Sequence, residues 1–459
     1  MEPTMREQQP ARVALGAAAA AVLVLLVGAA LRSPALAAVG LVGLALTAAG
    51  VWWGLTRRGA RRLLARALAV SAPVWVLWEY SSARLGWAVA VSALLWLVAA
   101  GTARTALLRH DAPVPPREHP APEIHHPFLI MNLRSGGGKV RRFSLRERAE
   151  ALGAEVLQLE WRGETDVAEL ARKAASEGAD LLGVAGGDGM QAPVADVAAA
   201  LHLPFLVIPA GTRNHFARSL GLDCDDPVRA LDALYDGVEV HVDMGRVGDR
   251  PFVSDVAFGA YGGAASGSWY RNGHARGFRR RDGHVRTALE ALPGLLAGHE
   301  GVPLTARAGA VTCCAPQALL VSNNPYGTGD IAGLGTRPRL DGGALGCVGV
   351  EVTGAAHAAG LLRGWRSTGL TRTAAMDVRI DADVRWLRAD VDGEASRLRV
   401  PVHCEVRPRA LRVIVPRRRP GPRGARPPLD WRLLGRLALT PARSPDELAA
   451  LKPTRSGAP

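Results

Sequence analysis

Three short segments of the chain place glycine beside groups that could handle phosphate. The first is Asn132-Leu133-Arg134-Ser135-Gly136-Gly137-Gly138-Lys139, three consecutive glycines bounded by a hydroxyl and by one of only three lysines in the chain. Glycine lets backbone N–H groups turn toward a phosphate at close range, and Lys139 could neutralise its charge. The spacing is not that of a Walker A loop. The second segment, Gly186-Gly187-Asp188-Gly189, holds a carboxylate among glycines at the start of a helical pattern. Packing explains such a carboxylate poorly, whereas orienting a metal-bound phosphate or accepting a proton from an attacking hydroxyl explains it well. In the third, Pro209-Ala210-Gly211-Thr212-Arg213-Asn214, Thr212 and Asn214 offer a hydroxyl and an amide near another helix start. One such loop is a turn or a helix cap; three in succession point to a polyphosphate site.

The elements that must position these loops alternate. Apolar runs at 128–131, 156–159, 181–185 and 205–208 are separated by helical patterns after Phe143, at 166–176 and after Gly189. Strand–helix alternation predicts a parallel sheet, and in such sheets ligands sit at the carboxyl ends of the strands, where these loops fall. Further on, runs at 252–258, 318–322, 347–352, 377–380 and 410–415, broken by glycine turns, read as strands of a β-rich region.

Taken in order, the glycine loop after Asn132, the Gly186–Gly189 segment and the 209–214 segment resemble the diacylglycerol kinase catalytic family, whose lipid kinases act on diacylglycerol, sphingosine and ceramide. The resemblance runs over about 127–416 and includes Ser322-Asn323-Asn324-Pro325-Tyr326 and Asp392-Gly393-Glu394. It implies an α/β nucleotide domain at 127–243 and a β-rich, sandwich-like acceptor domain at 244–416, with the last strands free to return to the first. It also implies ATP and Mg²⁺ in the cleft between them. By the family pattern, Asn132, Ser135, Gly136, Gly137, Gly138, Lys139, Gly186, Gly187, Asp188, Gly189, Gly211, Thr212 and Asn214 face the nucleotide. Asp188 lies at the phosphates and carries the metal through ATP, while Asp392 or Glu394 reaches the acceptor hydroxyl. Either Asp188 or Asp392 could serve as the general base. The sequence departs from the family at Met190, Ala192 and Pro193, where a threonine and an Asn-Glu pair are usual. It also departs at Asp341-Gly342-Gly343-Ala344-Leu345, where one aspartate of a structural-metal stretch is lost and Asp341 remains as the candidate ligand.

The first hundred residues have a different character. Uncharged runs at 13–31 and 34–55 are each long enough to cross a bilayer, and shorter apolar runs follow at 67–78 and 85–101. The arginines between the second and third runs place that loop inside by the positive-inside rule. The expectation is a four-helix transmembrane domain over 1–110 with both ends cytoplasmic, so that the kinase portion faces the inner leaflet of the cell membrane. A proline-rich linker, 111–126, unsuited to helix or strand, and a basic tail, 417–459, complete the organisation. The arginines at 271–281 and 417–426 could meet anionic phospholipid headgroups.

Composition narrows the classes. A hydrophobic fraction of 48% with 21% charged residues excludes a largely disordered chain. The net charge of +14 is almost entirely arginine, which fits a membrane surface or a polyphosphate and gives no reason to expect nucleic acid. Five irregularly spaced cysteines form neither a disulfide framework nor a zinc site. No repeat or heptad requires an oligomer. The reading is therefore an ATP-dependent lipid kinase with a membrane-lipid acceptor, diacylglycerol first. The alternatives are a catalytically silent nucleotide- or lipid-binding membrane protein and an NAD-kinase-like small-molecule kinase.

Overall fold

The computed structural model describes residues 5–56, 60–110, 114–160, 165–259, 302–327, 337–351, 370–422 and 431–439. It divides into two compact units: residues 1–112, 355–365 and 426–459 form one, and residues 113–354 and 366–425 the other.

The first unit contains α1 (Met5–Arg32), α2 (Pro34–Thr56), α3 (Ala60–Ser82) and α4 (Gly86–His110). Their sequences are rich in alanine and leucine, the strongest helix formers. Packing is inverted relative to a water-soluble bundle: Ala14, Ala21 and Ala29 of α1 and Ala88, Ala99 and Ala103 of α4 are buried, while Leu23, Leu31, Trp87, Leu94 and Leu97 point outward. Small residues let helices approach closely. A Cβ on Gly43 of α2 would collide with Val76 of α3, and one on Gly28 would already touch Ala88. Two stretches, Gln8–Arg32 and Gly86–Arg109, are long and apolar enough to cross a membrane. The short run expected at 67–78 lies inside a 23-residue helix that also takes in Arg61, Arg62 and Arg66. Arg57 and Arg58 lie outside the described residues.

The second unit begins where a linker was expected. Glu118–Pro120 forms an edge strand, β1, although the proline-rich sequence argued against any strand; three residues pairing along one edge leave the prolines outside the ladder or at its end. Then follow β2 (Pro127–Asn132), short helices α5 (Lys139–Arg142) and α6 (Leu145–Ala151), β3 (Glu155–Leu159), α7 (Val167–Ser176), β4 (Leu181–Ala185), α8 (Asp188–Ala200), β5 (Phe205–Ile208) and α9 (His215–Ser219). The four strands are parallel in the order β5-β4-β2-β3, as the alternation predicted. Asp166 caps α7 by accepting from the N–H groups of Ala168 and Glu169.

The remainder is antiparallel: β6 (Gly237–Val247), β7 (Arg250–Phe252), β8 (Asp255–Gly259), β9 (Leu304–Ala308), β10 (Val311–Cys314), β11 (Ala318–Asn323), β12 (Leu345–Val350), β13 (Leu370–Ala375), β14 (Asp377–Ala382), β15 (Trp386–Val391), β16 (Glu394–Arg399) and β17 (Val402–Pro416). The run expected as one strand over 252–258 is broken at Val253-Ser254, where the chain turns from β7 to β8. Strand β6 runs through the boundary expected at 243/244. Strand β17 pairs with β14 near its start and, parallel, with β5 near its end. The parallel sheet therefore continues without interruption into β14, β9 and β10, while β13-β12-β11-β8-β15-β16 form a second sheet facing that extension. Alternate side chains of the two sheets, among them Phe252, Ala306, Ile380 and Cys404 against Phe258, Leu319, Val321 and Leu387, fill the space between them.

The expected tail is corrected in two places. Arg417 pairs with Asp236, and Arg419 binds Glu118 and the Leu220 carbonyl, so these arginines are committed within their own unit. Residues Trp431–Leu439 form a helix, α10, that packs on α1 and α4. Leu434, Leu437 and Ala438 are buried against Ala11, Ala14, Ala103 and Leu107; Trp431 meets Trp96 edge-on at 5.9 Å; and Arg12 Nε donates to the Ala438 carbonyl at 3.0 Å. The arginine-rich loop at 271–281 and the last residues, 440–459, lie outside the described residues.

Candidate active site

The three glycine loops meet at the carboxyl ends of β2, β4 and β5, and the sequence explains how. Residues Gly136, Gly137 and Gly138 all have positive φ, a run that side chains would not tolerate. A Cβ on Gly136 would strike the Ala210 carbonyl, and one on Gly211 would stand 2.5 Å from the Gly187 Cα. Backbone thus lies on backbone across all three segments, with no room for a side chain at Gly136 or Gly211. Asn132 Oδ1 accepts from the Arg134 N–H and holds the entry to the first loop.

Lys139 and Asn214 serve the loops themselves. The Lys139 ammonium donates to the carbonyls of Cys224 at 2.9 Å and Pro209 at 3.5 Å, and burial lowers its pKa. Lys139 thereby ties the first glycine loop to the segments at Pro209 and Cys224. Asn214, in a left-handed conformation, donates to the Pro209 and Gly211 carbonyls, and its Oδ1 is buried without a partner. Thr212 is exposed.

Asp188 opens α8 and is buried. Its Oδ2 accepts from the His215 N–H at 2.9 Å and the Ser254 hydroxyl at 3.0 Å, whereas Oδ1 has no partner. Asp392 sits across from it at the turn between β15 and β16, again with positive φ. It accepts from three consecutive backbone N–H groups: Val253 at 2.7 Å, Ser254 at 2.8 Å and Asp255 at 3.0 Å. Ser254 thereby joins the two carboxylates, its N–H on Asp392 and its hydroxyl on Asp188. Glu394 is exposed at the rim, and a Cβ on Gly189 would come within 2.5 Å of its Cγ.

The electrostatics follow from crowding acids in a dry place. Burial, then the charges of Asp188 and Asp255, push the Asp392 pKa well above the usual carboxylate range against the pull of its backbone donors. Burial also raises Asp255, whose Oδ2 accepts from the Tyr326 hydroxyl, and takes Asp390 up to about 6. Burial and the Asp390 charge raise Glu394. His215 is driven the other way, to about 4, by burial that outweighs the Asp188 charge.

Residues 126–247 match the family model described as the diacylglycerol kinase catalytic domain. This segment, from β2 to β6, is similar to that family. The chain is 34% identical over 102 residues to a diacylglycerol kinase of Mycobacterium tuberculosis, covering 22% of this chain and 33% of that one. It is 40% identical over 91 residues to a diacylglycerol kinase of Bacillus subtilis, covering 19% and 30%. The chain thus matches about a third of the length of these curated relatives. A crystal structure of a diacylglycerol kinase from Bacillus anthracis aligns with 65% of this chain and 99% of its own at 18% identity and a TM-score of 0.46.

The departures at Met190 and Ala192 have a packing reason: both are buried in the hydrophobic cluster under the parallel sheet. Pro193 lies inside α8. The Asp341 carboxylate is engaged by Arg339 at 3.1 Å instead of gathering with other ligands, and among the described residues no three acidic, histidine or cysteine side chains are grouped to hold a metal ion. The neighbouring buried carboxylate is Asp243, which accepts from Asn324, Gly343 and Arg409. Sequence reasoning missed Ser254, Asp255, Asp390, His215, Asp243 and the buried Arg337. The 322–326 motif was a partial signal, since Tyr326 holds Asp255 and Asn323 donates to the carbonyls of Asp243 and Val253.

Proposed function

We propose that this chain is an ATP-dependent lipid kinase that transfers the γ-phosphate to a hydroxyl of a membrane lipid, with diacylglycerol the first candidate. The carrying observation is the Asp188–Ser254–Asp392 bridge beside three backbone-lined glycine loops. Phosphoryl transfer needs little covalent work from the protein. It needs a phosphate cradle, charge neutralisation and a group to collect the hydroxyl proton.

The loop surfaces at 136–138, 187–189 and 211–213 supply the cradle. The unpartnered, buried Asp188 Oδ1 is the donor that suits Mg²⁺, which commonly binds proteins through one or two carboxylates together with substrate phosphates. When bound, MgATP supplies the phosphoryl group and a cation to offset its charge. Asp392 is assigned as the general base: three donors occupy its oxygens, leaving about one acceptor position, and a raised pKa gives it proton affinity. It takes the proton as the lipid oxygen bonds to phosphorus and the ADP oxygen leaves. Glu394 at the rim contacts the acceptor side.

The first unit supports a membrane acceptor. Two helices of spanning length, alanine inside and leucine and tryptophan outside, suit lipid better than water. We read it as a multi-pass anchor of four helices with the kinase unit on the cytoplasmic face, near anionic headgroups.

The test is phosphate transfer from γ-labelled ATP to a total lipid extract by full-length protein in lipid nanodiscs, beside Asp188→Asn and Asp392→Asn. A labelled lipid that disappears in both variants supports the reading and identifies the acceptor. Tight ATP binding without labelled lipid favours a silent binding protein, and labelled NAD favours a small-molecule kinase.

A further inference from the structure

Arg337 is among the largest fully buried side chains of the structure, and among the described residues its guanidinium hydrogen-bonds no carboxylate. Removing a charge from water costs several kcal/mol in effective terms unless strong local bonds compensate. Here the bonds are to neutral acceptors. Nη1 donates to the carbonyls of Val253 at 2.7 Å, Asn323 at 3.0 Å and Ser254 at 3.2 Å, and Nε donates to the Ser219 hydroxyl at 3.2 Å. The cation also lies 5.9 Å from the ring of Tyr326, whose hydroxyl holds Asp255.

The choice of carbonyls is informative. The Val253 carbonyl and the Ser254 N–H belong to one peptide group; the Ser254 carbonyl and the Asp255 N–H belong to the next. Both N–H groups bind Oδ1 of Asp392. Two successive peptide groups therefore stand between the Arg337 guanidinium and the Asp392 carboxyl group, oxygen toward Arg337 and hydrogen toward Asp392. Hydrogen bonds arranged in a chain polarise one another and fix the orientation of every member. The same turn carries the Ser254 hydroxyl to Asp188.

We infer that Arg337 is a positioning residue for the transfer reaction, gripping the carbonyl side of the Val253–Asp255 turn so that its opposite side holds Asp392 and Asp188 in register. This rests on the kinase reading above. Arg337 touches neither carboxylate and acts through the turn. Its planar, multi-donor head suits acceptors arriving from two segments, which a lysine ammonium meets less well.

The experiment compares full-length wild type, Arg337→Met, Arg337→Lys and Ser219→Ala in nanodiscs. It measures kcat, the KM for ATP and hydrogen exchange of the 253–255 amides. Misplacing a catalytic group by about 1 Å costs roughly 100-fold, so Arg337→Met should lose about that factor in kcat while KM for ATP stays within about 3-fold. Amides 253–255 should exchange at least about 10-fold faster, with those of β4 and β5 unchanged. Arg337→Lys should recover part of kcat. Ser219→Ala, which leaves the turn's carbonyl contacts intact, should stay within about 3-fold of wild type.

Wild-type kcat in Arg337→Met, unchanged exchange at 253–255, or parallel losses in kcat and ATP affinity would overturn the role. Should Arg337→Met fail to fold, Arg337→Lys decides: a lower kcat at constant KM supports the inference, and full activity refutes it. A wild-type chain that transfers phosphate to no lipid overturns the kinase reading and this role together, whereas an active wild type with a fully active Arg337→Met overturns this role alone.

Discussion

Replacing Gly211 by alanine tests whether close backbone contact between loops builds the nucleotide cradle. The added methyl would stand 2.5 Å from the Gly187 Cα, 2.7 Å from Asn214 Oδ1 and 2.9 Å from the Gly187 nitrogen. Ordinary contact begins at 3.4 Å, so the loops must part by about 0.9 Å along the first of these directions, and two of the three opposing atoms are backbone with no rotamer to yield. Overpacking of this kind costs roughly 1–3 kcal/mol. The proper comparison is Gly137→Ala, where a Cβ meets nothing within 4 Å and the penalty is confined to a φ of +73°. A left-handed alanine costs roughly 1–2 kcal/mol. Both variants should therefore melt at lower temperature by similar amounts, but only Gly211→Ala should move the N–H groups of two loops apart. Its ATP affinity should fall by roughly tenfold or more, against roughly threefold or less for Gly137→Ala. Titration with a fluorescent ATP analogue and thermal melting of the same samples supply the two readings. Equal ATP affinities in the two variants would refute the argument that the 187–211 contact shapes the cradle.

Ser254→Ala removes a buried bond to a charged acceptor; it should cost about 1.5–3 kcal/mol in stability by thermal melting and lower kcat with little change in KM for ATP. Asp390, raised from 3.8 to about 6, favours the folded state only while protonated, so its contribution is fully present below pH 3.8 and lost as pH rises through about 6. Asp390→Asn should gain on wild type between pH 4 and pH 8 by on the order of 3 kcal/mol, read as a difference in melting profiles; parallel profiles would remove burial as the cause. Arg12→Ala takes a donor from the Ala438 carbonyl and should loosen α10 by about 1 kcal/mol, detected as faster limited proteolysis within 431–439 at unchanged cleavage elsewhere.

The legible parts share a physical cause. Strands β2, β4 and β5 are buried on both faces, so they read as unbroken apolar runs, and the loops after them announced themselves through glycines that contacts now account for. Strands β15 and β16, written WLRADV and EASRLR, alternate exposed with buried positions over much of their length and interleave arginine with small residues, which conceals them. The site was legible only where one loop contained it. Asp392 meets its donors 137 to 139 residues away, and Arg337 reaches Ser219 across 118, distances over which no local pattern carries information. The carbonyls that meet the Lys139 ammonium, those of Pro209 and Cys224, lie 70 and 85 residues away, so these contacts were not legible either.

Strand β17 also constrains when this protein becomes itself. Its last residues neighbour β5 and β6, made about two hundred and about one hundred and seventy residues earlier, and its first residues complete the sheet that faces the β15–β16 hairpin. During synthesis the helices of the first unit up to α4 emerge first, while the glycine loops stay attached to a sheet with an open edge until residue 416 has left the ribosome. A chain cut short before that point lacks all or part of the strand that joins β14 to β5. Translation through β17 therefore acts as the checkpoint for assembly of the whole second unit, and an interrupted product carries helices beside an unfinished sheet.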